Sequence, residues 1–157
     1  MPKVLVLFVG AEEPAVSLAE AAADGARTVR FTEVEVAAGG VHDERTAHRH
    51  PHLASAEALR HRDGIVIACA AAAEVPPALE QLFDGMESIE PPAFTNTVFG
   101  VIGGERTMLL DHLARLGGIL IGESQQSADP EVRARQLGAR VAKVSGWVRH
   151  ALSHEAH

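Results

Sequence analysis

Cysteine occurs once in the 157 residues, at Cys69, and tyrosine does not occur at all. A lone cysteine excludes an internal disulfide and a thiolate-rich metal site. Basic side chains are also scarce: 14 Lys and Arg stand against 21 Asp and Glu, for a formal net charge of −7. That balance argues against non-specific nucleic-acid binding and against docking on an anionic membrane. No apolar run approaches the roughly 18 residues of a membrane span. The N-terminus carries one lysine, six apolar residues and then two glutamates, which is not the shape of a signal peptide. A cytoplasmic location is therefore expected.

With 46% hydrophobic residues, the chain has the material for a substantial core. One domain over residues 1–157 is expected, with no internal repeat or linker. Val4 to Val9 is an unbroken apolar run of strand length, and a strand apolar on both faces belongs in a parallel sheet covered by helices. Gly10 ends it, and Pro14 suits the first turn of a helix. That helix is expected over Pro14 to Asp24, with Gly25 as its stop and an alanine-rich inner face. Thr28 to Val36 alternates apolar and polar residues and reads as a second strand at an edge.

Further β-α units follow. Ala54 to Arg62 reads as a short helix and Ile65 to Ala68 as the third strand. A helix opens at Val75-Pro76-Pro77, with Leu79, Leu82, Phe83 and Met86 on its apolar side. Val98 to Ile102 is the fourth strand, and Leu109, Leu110, Leu113 and Leu116 mark the next helix. Ile119 to Ile121 is a short fifth strand. Asp129-Pro130-Glu131 is a strong helix start, and Leu137, Val141, Val144, Val148 and Leu152 give the last helix its buried stripe. Five β-α repeats with right-handed crossovers make a three-layer α/β/α sandwich, with a five-stranded parallel sheet in the order 2-1-3-4-5.

Residues 37–53 form the longest irregular segment, and it is expected to be a flexible loop. It contains His48, His50 and His52, whose alternate spacing would turn three rings to one side of an extended chain. Imidazoles suit zinc or nickel, so these are weak metal candidates beside the plainer interpretation of a solvated loop. The stretch 153–157 reads as a frayed tail, and His112 as a surface residue.

Taken together, these pieces resemble a flavodoxin-like domain. They are most similar to the WrbA-type NAD(P)H:quinone oxidoreductases and the NADPH-dependent FMN reductases. The residues that carry the resemblance are KVLVLFVG at Lys3 to Gly10, LRHRDGIVIA at Leu59 to Ala68 and PPALEQLFD at Pro76 to Asp84. LARLGGILI at Leu113 to Ile121, and the Arg-x-x-Gly-x-x-Val-Ala pattern at Arg135 to Ala142, extend it along nearly the whole chain. The resemblance implies FMN at the carboxyl ends of strands 1, 3 and 4, electron transfer from NAD(P)H to quinones, and a homodimer or tetramer. The crevice positions it points to are Gly10, Ala11, Glu12, Glu13, Cys69, Ala70, Ala71, Gly103, Gly104, Glu105 and Arg106.

The loops themselves depart from that family's pattern. Its first loop is rich in Ser, Thr and Gly, which hold the flavin phosphate; here it is Gly10-Ala11-Glu12-Glu13, with no hydroxyl before Ser17. Like charges about 4 Å apart repel by roughly 1–4 kcal/mol. Each missing hydroxyl bond to a charged partner forfeits about 1.5–3 kcal/mol more. The second loop, Cys69 to Glu74, offers only backbone and methyl groups, while Gly103-Gly104 keeps the family's glycines. Weak or absent FMN binding and a non-catalytic binding or assembly role are expected, with an FMN-dependent oxidoreductase as the alternative. A small-molecule or nucleotide ligand and a homodimer are the expected partners. Glu12 and Glu13 complement a helix dipole or recruit a cation. Cys69 is a core residue or a thiol, and Arg106 is a solvated side chain or an anion contact.

Overall fold

The computed structural model describes residues 1–9, 13–39, 50–53, 56–69, 77–89, 93–103, 106–124 and 126–155. Its elements are β1 (Lys3–Val9), α1 (Glu13–Arg27), β2 (Glu33–Gly39), β3 (His52–Leu53), a 3₁₀ turn (Ala56–Leu59), β4 (Gly64–Cys69), α2 (Pro77–Glu87), β5 (Val98–Ile102), α3 (Arg106–Arg115), β6 (Ile119–Ile121) and α4 (Pro130–Glu155). All the strands pair in parallel, in the order β3-β2-β1-β4-β5-β6. The five strands read from the sequence lie in the order 2-1-3-4-5, and the two-residue β3 is added outside β2.

Alternation along each central strand sorts the core into two layers. Val4, Val6 and Phe8 of β1 pack against α1 and α4, together with Val66, Ala68, Leu137 and Val141. Leu5, Leu7 and Val9 pack on the other side, against Leu59, Leu79, Phe83, Leu109 and Leu113 of the 3₁₀ turn, α2 and α3. Period-two side-chain placement on a sheet covered on both faces is the cause.

Several expected boundaries move. The first helix does not stop at Gly25 but runs to Arg27, and Gly25 faces α4 inside it. A methyl group on Gly25 would collide with the Arg135 carbonyl, and one on Gly138 with the Ala22 carbonyl. The alanine-rich face of α1 thus serves close contact with a second helix as well as with the sheet. The second strand begins at Glu33 rather than Thr28. Thr28 still bonds back to the Gly25 carbonyl, and Phe31 turns the chain at φ 59°. The short helix expected over 54–62 is a four-residue 3₁₀ turn. Leu152 is 40% exposed rather than buried, because α4 outruns the sheet it covers. Among the described residues no helix is long and apolar enough to cross a membrane.

Candidate functional site

In a parallel sheet with helices on both faces, a crevice opens where neighbouring strands send their connections to opposite sides. Here that point lies between β1, followed by α1, and β4, followed by α2 on the other face. The carboxyl ends are level: Val9 is in register with Gly39 on one side and with Cys69 on the other. Ile102 pairs with Ala68, so Gly103 continues the row.

Gly103 shapes this edge. Its φ of 71° suits glycine, and a Cβ there would collide with the Cys69 carbonyl. The turn leaving β5 is thereby drawn down on the end of β4. The same Cβ would lie 3.8 Å from Leu18 Cδ1, so α1 closes the near side.

Cys69 is 1% exposed, and its side chain belongs to the core layer under α2 and α3. Burial pushes its thiol up from 9.0 to about 11. It is therefore a protonated core residue near neutrality, not a nucleophile facing the crevice.

Three helices begin above the strand ends. Glu13 opens α1, Pro77 opens α2 and Arg106 opens α3. Only the backbone placement of Glu13 and Arg106 is described. Gly10, Ala11, Glu12, Ala70, Ala71, Gly104, Glu105 and His48 lie outside the described residues. So does the side chain of His52, whose backbone opens β3.

His50 is described. Its Nε2 lies 3.2 Å from Glu20 Oε1 on α1, and its ring meets Phe8 edge-on at 5.6 Å. Sequence spacing did not point to Glu20, thirty residues away and on another element. Among the described residues no group of three or more His, Cys, Asp or Glu could hold a metal. His112, expected at the surface, is half-buried instead. It stacks on Phe83 at 5.0 Å and meets Arg115 at 3.0 Å. Its partner Arg115 lines a hollow of about 290 Å³ together with Met86 and Phe94, at the end of the sheet away from the crevice.

The strand order, the covered sheet and the level crevice can be set beside known structures. Flavodoxin 2 from Bacillus cereus superposes with a TM-score of 0.61 at 17% identity, covering 92% of this chain and 98% of its own. This is the flavodoxin-like fold. The flavodoxin-like domain of a Synechococcus protein agrees to 0.60 at 16% identity, over 94% of this chain and 99% of its own. FerB, an NAD(P)H:(acceptor) oxidoreductase from Paracoccus denitrificans, aligns less well, at 0.50 and 12% identity over 96% and 98%. No family model and no curated protein matches the sequence. The flavodoxin-like fold is thus established by shape, with very little shared sequence.

Proposed function

We propose that this chain is a flavodoxin-like domain that holds FMN weakly or not at all and acts as a non-catalytic binding or assembly unit. The observation that carries this is the donor set at the start of α1. Val9 ends β1 and Glu13 already opens the helix, so residues 10–12 alone separate them. Pro14 has no N–H to give an anion, and Ala15 and Val16 are buried in the core. The first hydroxyl, Ser17, lies in the second turn, while Glu12 and Glu13 bring two carboxylates. A phosphate dianion would meet repulsion of roughly 1–4 kcal/mol per close pair, without hydroxyl donors to offset it. The donor set fits a flavin phosphate poorly.

Titration of FMN, followed by quenching of its fluorescence, tests this. A dissociation constant of about 100 µM or weaker is expected. A purified protein that is yellow, and stays so through gel filtration, would overturn the proposal.

One observation favours a second function, an FMN-dependent NAD(P)H:quinone oxidoreductase of the WrbA type. Gly103 carries no side chain at the crevice edge, where backbone could approach a flat ring. NAD(P)H-dependent quinone reduction by the flavin-loaded protein would support it. A homodimer is also proposed, and a monomer mass by light scattering would refute it.

A further inference from the structure

We propose that His150 and His154 form a chelating site for a borderline divalent transition cation, of the zinc, nickel or copper kind, on the last turns of α4. Four residues apart on a helix, the two side chains share one face. Their Nε2 atoms lie 3.1 Å apart, with ring centroids at 4.4 Å and ring planes at 80°. Metal–imidazole bonds are about 2.0–2.1 Å long, so two adjacent nitrogens on one ion are separated by about 2.9–3.4 Å. The pair already has that bite. Binding needs side-chain torsions only, on a helix that is formed in any case.

A neutral imidazole has one N–H and one acceptor nitrogen. Two facing Nε2 atoms therefore share one proton between them. A cation bound by both Nε2 lone pairs takes the place of that proton, and the ring that had donated it carries its N–H on Nδ1 instead. Imidazole nitrogen prefers zinc, nickel and copper to magnesium or calcium, which sets the class of ion.

The surroundings suit a cation. The pair lies near the carboxyl end of a 26-residue helix, where the unpaired carbonyls make the field negative. Arg149, the adjacent positive charge, is drawn aside to Asp63 at 3.1 and 3.4 Å. Ser153 donates its hydroxyl to the His150 carbonyl at 2.8 Å, which pins the turn between the two rings. Both histidines are exposed, so water can complete the coordination. Among the described residues the other paired histidines differ in kind: His50 meets the Glu20 carboxylate, and His112 meets Arg115 and the Glu87 carboxylate.

Zinc chloride, titrated into the full chain with excess magnesium present, is the test. Calorimetry should give a one-to-one event, and the Nε2 resonances of His150 and His154 should shift together in nitrogen-detected NMR. H150A and H154A should each weaken that event at least tenfold, because one imidazole cannot chelate. Far-UV circular dichroism of both variants should match the parent, since the changes are on an exposed face. Two results would overturn the proposal. One is no zinc event up to about 1 mM, the range of a bare imidazole contact. The other is an event of unchanged strength in the double variant, which would assign the ion to histidines elsewhere.

Discussion

Gly138 on α4 lies against the Ala22 carbonyl on α1 with no room for a methyl group between them. The contact is reciprocal, since Gly25 meets the Arg135 carbonyl in the same way. Backbone cannot give way there as a flexible side chain would. Gly138→Ala gains up to about 1 kcal/mol in helix propensity. Overpacking costs about 1–3 kcal/mol or more and should win. A lower urea midpoint is expected for Gly138→Ala and for Gly25→Ala; an unchanged or higher midpoint would show that the helices can separate at no cost.

Ser145 is fully buried on α4, under Gly64, and its hydroxyl has no hydrogen-bond partner among the described residues. An unsatisfied buried hydroxyl costs about 1–3 kcal/mol. Ser145→Ala should therefore stabilise the protein by about 1 kcal/mol, seen as a higher urea midpoint at unchanged slope. A loss of stability would mean that the hydroxyl has a partner in solution.

Burial that raises the Cys69 thiol from 9.0 to about 11 also makes stability depend on pH. The unfolded chain loses the thiol proton first. The contribution is complete below pH 9 and is lost as pH rises through about 11. Tyrosine is absent and lysine occurs only at Lys3 and Lys143, so few other groups titrate in that window. Cys69→Ala should flatten the fall in stability between pH 9 and 11. In the native parent, a thiol reagent should react with Cys69 only as fast as the chain opens.

On the proposed function, acid in the loop after β1 is what weakens FMN binding, and substitution should reverse it. Replacing Glu12 and Glu13 by serine and threonine removes the repulsion and supplies hydroxyls. FMN affinity should rise tenfold or more, about 1.4 kcal/mol. Riboflavin, which has no phosphate, should bind the parent and the variant alike. If riboflavin gained as much as FMN, charge at residues 12 and 13 would not be what weakens the flavin.

The sheet was legible because its signals are redundant. Val4 to Val9, Ile65 to Ala68 and Val98 to Ile102 are apolar on both faces, and each is followed by a helix with a clear apolar stripe. Strand order then follows from chirality and connection rules. Boundaries were less legible where one residue type serves two purposes. Gly25 resembles a helix stop, yet its missing side chain admits another helix. Phe31 lies where the alternation looks like strand, yet it occupies a left-handed turn. The contacts Glu20–His50 and Phe83–His112 join residues far apart in the chain, and local spacing carries no trace of them. Gly103 was legible as the glycine that follows the strand Val98 to Ile102, whereas its closeness to the Cys69 carbonyl depends on the register of two strands.

Because α4 runs back down the sheet, its last turns reach Asp63 and Pro2, at the amino ends of the strands. The crevice and the helix end are therefore opposite poles of the molecule. A fluorescent protein joined beyond Glu155, or a sensor chip gripping that end, would leave the crevice facing outward and open to whatever ligand is offered.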